Sequence, residues 1–155
     1  MKTYVITISQ QFPATFNKAG YEFLSKPGDA TGFIKKIMDG TKIHTIRGNY
    51  ALWAKRFVEI EKGNACLSVR VWNGKPYRSK QDEVFNFRKS DGIGVQRLHY
   101  LSPMSFVEYL VDGAPASMQE LGDNDGLGFE DFAEWFTGTP PNTELAIIHF
   151  TPFRY

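Results

Sequence analysis

Cysteine is nearly absent from this chain, net charge is close to zero, and no long apolar run occurs. The 155 residues contain one cysteine, Cys66, so no intrachain disulfide forms and no thiolate set exists for zinc. The three histidines, His44, His99 and His149, are scattered, with no His or carboxylate partner at metal-ligand spacing, and no metal is expected. Asp91-Gly92-Ile93-Gly94 is too short for a phosphate-cradling loop, which argues against ATP-dependent chemistry; no cofactor is expected. Met1 to Ser9 alternates apolar and polar residues instead of forming the apolar core of a signal peptide, and no stretch approaches a membrane span. Together these absences predict a soluble, cytoplasmic protein without a membrane partner.

What is present suits a single folded domain over residues 1–155. Hydrophobic residues make up 42% and aromatics 15%, typical of a globular core and unlike disorder. A chain of this size buries roughly 70% of its unfolded surface, enough without staples. The net charge of +1 conceals a segregated pattern. Residues 35–56 carry Lys35, Lys36, Lys42, Arg47, Lys55 and Arg56 against Asp39 alone, and residues 70–80 carry Arg70, Lys75, Arg78 and Lys80 with no acid. Residues 108–134 hold eight acids and no base. Either the blocks neutralise each other in the fold, or a basic face is left to meet a nucleic acid or nucleotide.

Periodicity and punctuation predict six or seven short strands and three or four helices. Tyr4–Ser9 alternates as a strand, and Gln10–Pro27 is a long polar and aromatic loop of the kind that often carries function. Asp29 is the expected cap of a helix running to Met38 and ended by Gly40, and Asn49 of a second helix ended by Gly63. Between them Lys42–Arg47 reads as a strand. Ala65–Trp72, Glu83–Arg88, Ile93–Tyr100 and Glu144–Phe153 follow as strands, with hairpin signals at Asn73-Gly74 and Asp112-Gly113 and a turn at Asp91-Gly92. Ser117–Leu121 and Phe129–Phe136 read as short helices. With no βαβ alternation, the expected fold class is α+β: a mostly antiparallel, barrel-like sheet with peripheral helices.

The richest segment is Gly40-Thr41-Lys42-Ile43-His44-Thr45-Ile46-Arg47-Gly48. A sheet that only had to pack would not set Lys, Thr and Arg among its isoleucines, and converging polar groups orient ligands in pockets. The alternative is an edge strand with solvated charges. In a regular strand Lys42, His44 and Ile46 face one way and Ile43, Thr45 and Arg47 the other. Cooperation between Lys42 and Thr45 therefore requires a bend, or Lys42 in the loop before the strand starts. His44 is read as a strand residue bonded locally, available to a ligand but not to a metal.

The segment from Gly40 to Arg47, a glycine-ended helix followed by Lys-x-x-Thr-x-Arg, resembles the signature of ASCH domains, which share the PUA-like β-barrel fold. Asp125-Gly126-Leu127 followed by Phe129-Glu130-Asp131-Phe132 and Trp135-Phe136 is similar to the acidic, aromatic helix entry late in that family, and Glu144–Phe153 to its final strand. The likeness runs over roughly residues 29–153, and Trp72–Gln81 resembles a branch of bacterial and phage proteins. The resemblance implies RNA binding in a groove beside the barrel. It also implies a second possibility, since some small bacterial members are amidohydrolases that remove the acetyl group of N4-acetylcytidine with a Lys, a Thr and a later Glu. The matching positions here are Lys42, Thr45 and Asp125, the last a methylene shorter than Glu and so shorter in reach.

The expected function is therefore binding of RNA or a modified nucleotide, with Arg47, His44, Arg70, Lys75, Tyr77, Arg78 and Lys80 as contacts. Arginine offers a planar fork for phosphate and stacks on bases, and Tyr77 offers a stacking face. The alternative is amide hydrolysis with Thr45 as nucleophile, Lys42 as its base and Asp125 assisting. A third reading makes the acidic 108–134 stretch a protein-interaction face.

Overall fold

Helix punctuation and strand alternation produce eight strands and four α-helices in the computed structural model, which describes residues 1–155. In chain order they are β1 (Lys2–Thr7), α1 (Phe33–Asp39), β2 (His44–Gly48), α2 (Tyr50–Glu61), β3 (Ala65–Trp72), β4 (Gln81–Phe87), β5 (Gly94–Tyr100), β6 (Tyr109–Val111), β7 (Ala114–Ala116), α3 (Met118–Asn124), α4 (Gly128–Trp135) and β8 (Thr143–His149). The class is α+β. None of the helices is long and apolar enough to cross a membrane.

The strands form two sheets, one ordered β1-β3-β4 and the other β2-β8-β5-β6-β7. Their ladders do not close into one barrel. Pairing is antiparallel except between β1 and β3, which run parallel in register from Lys2↔Ala65 to Thr7↔Arg70. That parallel pair corrects the expectation of no crossover: the chain leaves β1, forms α1, β2 and α2, and returns beside it as β3. No periodicity within either strand encodes its partner, because parallel pairing requires only a connection long enough to return.

A shared core lies between the sheets. It contains Ile6 and Ile8 from β1 and its end, Leu67, Val69 and Val71 from β3, Trp53, Phe57 and Ile60 from α2, and Ala146, Ile148 and Phe150 from β8 and beyond. The five-stranded sheet is buried on its other face as well, where Ile46, Leu98, Tyr100 and Ile147 pack against Leu121 of α3 and Phe132 of α4. Central strand β8 is therefore apolar on both faces (Ala146, Ile147, Ile148 all fully buried), which explains its near-continuous hydrophobic run. Buried apolar area is the main stabilising term here, at about 25 cal/mol per Å².

Several local expectations are corrected. Helix α1 is entered at Gly32, whose φ of 67° suits glycine, while Asp29 closes a turn by accepting from Lys26 N at 2.9 Å. Asn73-Gly74 is not a two-residue hairpin: residues 73–80 form a wider tip in which Asn73 N donates to Lys80 O and Gly74 N to Ser79 Oγ. Strand β8 ends at His149, and residues 150–155 turn back over the sheet. The long loop after β1 has its own small core of Phe12, Phe16 and Leu24, seated on Leu127 and Trp135 of the α3–α4 region.

Candidate functional site

Strand β2 is an edge strand of its sheet, and β1 is an edge of the other. The two edges meet through one side chain: Arg47 Nη2 donates to Thr7 O at 2.7 Å. The position predicted by the solvated-edge reading is thus correct and its consequence is not. Lys42, His44 and Thr45 are buried, because β1, α1 and the α3–α4 turn cover this edge.

The cavity so formed measures about 360 Å³. Its polar lining includes Lys42, Thr45, Arg47 and Asp125, and its apolar wall includes Phe33, Leu127, Trp135 and Phe136. Lys42 precedes the strand instead of starting it, which resolves the facing problem posed by a regular strand: Lys42 and Thr45 line the same cavity. Turn residue Gly126, at φ 78°, lets the backbone after α3 pass Lys42, since even a Cβ there would lie 3.1 Å from Lys42 Cβ.

Lys42 Nζ donates to both the backbone O of Asp125 (2.7 Å) and its Oδ1 (2.9 Å), and lies 4.3 Å from the centre of the Phe33 ring. Burial depresses the basicity of Lys42 and the Asp125 charge works against that depression. For Asp125, burial alone would raise the pKa. Attraction to Lys42, the nearby His44 ring and the hydrogen bond from Lys42 outweigh it and hold the carboxyl below its usual range, so it is ionised at neutral pH. A buried pair of this kind contributes little net stability but leaves an expensive lone charge if one partner is removed. Asp125 Oδ2 makes no hydrogen bond within the protein, leaving an acceptor for a ligand.

Thr45 Oγ1 accepts from Arg47 Nη1 at 2.8 Å, and the same nitrogen donates to Ile46 O. With an arginine supplying its acceptor contact, the threonine hydroxyl keeps its own proton free to donate. No hydrogen bond joins Lys42 to Thr45; the amine is held by Asp125 instead. Desolvation lowers the pKa of Arg47, with Asp125 opposing it, and the guanidinium stays charged.

His44 is not bonded locally, as its strand position suggested. Its Nε2 is 2.7 Å from the hydroxyl of Tyr155, 111 residues away, and its Nδ1 is 3.5 Å from Asp125 Oδ1. Asn124 Nδ2 also donates to that hydroxyl, at 3.0 Å. Tyr155 and Asn124 carried no sequence signal, one following Pro152 in an irregular tail and the other closing a helix.

The remaining basic candidates stand apart. Arg70 lies on the outer face of the three-stranded sheet, where its Nε donates to Ser68 Oγ and Ser68 donates to Glu83. Lys75, Arg78 and Lys80 sit on the exposed β3–β4 tip and line neither cavity described here. Tyr77, on the same tip, packs tilted at 5.2 Å from Trp72 and lines a second, larger cavity of about 710 Å³ with Gln10, Gln11, Asn73 and Gln81. Both cavities have Thr7, Ile8 and Ser9 in their linings, so the end of β1 forms a wall of each.

The acidic stretch is partly occupied internally. Asp125 holds Lys42, Asp131 accepts from Ser25, and Asp112 accepts from Arg97 N and Gln96. No group of three or more His, Cys, Asp or Glu is arranged to hold a metal. No family model, curated protein or solved structure matches the chain.

Proposed function

We propose that this is an ASCH-type protein with an open PUA-like arrangement of strands, binding the base of RNA or of a modified nucleotide in the cavity around Lys42, Thr45 and Arg47. The observation that carries the reading is the convergence of a buried lysine, a half-buried arginine, a hydroxyl and an ionised carboxylate on one cavity of about 360 Å³ walled by aromatics. That volume lies within the range of small-molecule sites, and fixed polar groups against an apolar wall are how such sites orient a flat ligand. The free Oδ2 of Asp125 suits the exocyclic amine of a cytosine-like base, while Lys42 and Arg47 suit its carbonyl oxygen. The two sheet edges bridged by Arg47 and Thr7 support the barrel-like reading, with the cavity at the gap.

Amide hydrolysis is the second reading, favoured by one observation: Lys42, Thr45 and Asp125 share that cavity although 83 residues separate Lys42 from Asp125. In this chemistry Thr45 Oγ bonds to the acyl carbon of an N-acetylated base as its proton passes to neutral Lys42. The C–N bond then breaks, the leaving amine takes the proton from Lys42, and water releases acetate from the threonine ester. Burial favours the neutral amine that the step requires, and Arg47 beside Thr45 Oγ1 stabilises the developing negative charge.

The test uses N4-acetylcytidine with the full chain. Calorimetry is expected to detect binding that falls at least tenfold in Arg47→Ala and Asp125→Asn. Release of acetate that is lost in Thr45→Ala and Lys42→Ala establishes the enzyme, whereas binding without release establishes a recognition module. Absence of both overturns the proposal.

A further inference from the structure

Behind the cavity, on the opposite face of β2, lies a buried hydrogen-bond chain that the proposed chemistry does not use. Its donor directions follow from its ends. The main chain of Tyr155 donates from N to Gln96 Oε1 at 2.9 Å, so that atom is an acceptor, and Gln96 Nε2 donates to Asp112 Oδ2 at 3.0 Å and to Tyr155 O at 3.4 Å. Gln96 therefore anchors residue 155 at both backbone atoms. His149 Nε2 meets the same Gln96 Oε1 at 2.9 Å and must be the donor there.

The hydroxyl of Tyr155 accepts from Asn124 Nδ2, since an amide NH₂ only donates. Its own proton is then free for His44 Nε2, at 2.7 Å. Burial raises the pKa of Tyr155, so the phenol retains that proton. An Nε2 that accepts leaves the neutral imidazole with its N–H on Nδ1, facing Asp125 Oδ1 at 3.5 Å. His44 is fully buried, so no water competes for either nitrogen. The charged and titratable groups around the ring are Asp125, Tyr155 and His149, whose ring stands edge-on at 5.6 Å.

We propose that Tyr155 is a positioning residue: by holding His44 in the Nδ1–H tautomer it aims a donor at Asp125 and so fixes the carboxylate that grips Lys42. The chain runs by hydrogen bonds from Asn124 through Tyr155 to His44, crosses from the otherwise unpartnered Nδ1 to Asp125 by a 3.5 Å electrostatic contact, and reaches Lys42, which places residues 150–155 in control of the cavity from behind. The inference rests on Lys42 and Asp125 being the working pair of the proposed function, but its primary readout needs no ligand.

Nitrogen-15 NMR of the histidine rings in the full chain reads the tautomer directly. The expected result is a pyrrole-type Nδ1 and a pyridine-type, hydrogen-bonded Nε2 for His44, with Tyr155→Phe moving the ring to the other tautomer or a mixture. An Nε2–H tautomer in the unmodified protein, or an unchanged tautomer in Tyr155→Phe with the fold intact by circular dichroism, overturns the proposal. Should Tyr155→Phe fail to fold, His44→Asn and His44→Gln decide it. Asn carries its amide donor where Nδ1 lies, and Gln carries it where Nε2 lies. With the Asp125 titration followed by carbon-13 NMR, His44→Asn is expected to leave it low and His44→Gln to raise it; equal behaviour of the two overturns the proposal. Failure of N4-acetylcytidine to bind would remove the ligand reading while leaving these outcomes decisive.

Discussion

His149 shows how one buried residue sets a pH dependence. Burial, with further contributions from His44 and Arg154, pushes its pKa from 6.5 down to about 3. In the unfolded chain the imidazole takes up a proton below pH 6.5, while in the folded protein it stays neutral until about pH 3. Unfolding therefore binds a proton throughout that window, so the contribution is fully present above 6.5 and is lost as pH falls. Urea unfolding of the wild type is expected to lose about 2 kcal/mol more than His149→Gln between about pH 6.5 and about pH 5. Gln keeps a donor for Gln96 without a titrating ring, and equal slopes in the two proteins would refute the assignment.

At the scale of elements, the cavity depends on how α3 meets α4. Helix α3 is capped by Ser117, whose side chain accepts from Glu120 N, and its end delivers Asn124 and Asp125 to the edge of β2. Gly122 makes the close approach possible: a Cβ there would collide with the carbonyl oxygen of Gly128 and sit 3.0 Å from Phe132 Cβ. Backbone cannot give way as a flexible side chain does, so Gly122→Ala must separate the helices. The expected cost is about 1–3 kcal/mol in chemical denaturation, as for other overpacked sites. The same variant is expected to lose binding of the nucleoside probe more than a mutation of equal cost in the small core around Phe16, because it moves Asp125.

For the whole molecule, the segregation of charge along the chain does not translate into one continuous basic groove. Lys42 and Arg47 sit inside the cavity, Arg70 is engaged on the outer sheet face, and Lys75, Arg78 and Lys80 stand on an exposed tip. Binding of an uncharged nucleoside in the cavity is therefore expected to change less than twofold between about 50 and about 200 mM salt. Phosphate-tracking by the exposed tip would instead lose orders of magnitude over that range. Titration calorimetry at the two salt concentrations distinguishes them, and a steep slope for N4-acetylcytidine would refute binding inside the cavity.

What the sequence determined by itself was local. Alternation within β3 and β5, the Asn49 cap of α2 and the Asp112-Gly113 turn, with φ of 47° and 84°, all follow from steric and hydrogen-bonding preferences that span a few residues. The segment from Lys42 to Arg47 was legible for the same reason, since polar residues in an otherwise apolar strand stand out without a fold. Tertiary structure alone decided the rest. Whether Lys42 had a partner depended on α3 returning Asp125 to it, and whether His44 was a local residue depended on the tail folding back to present Tyr155. The parallel pairing of β1 with β3, and the exclusion of the basic tip from the cavity, were equally nonlocal. Such contacts are set by the packing of whole elements around two cores, and burial then converts ordinary surface residue types into a paired, low-dielectric site.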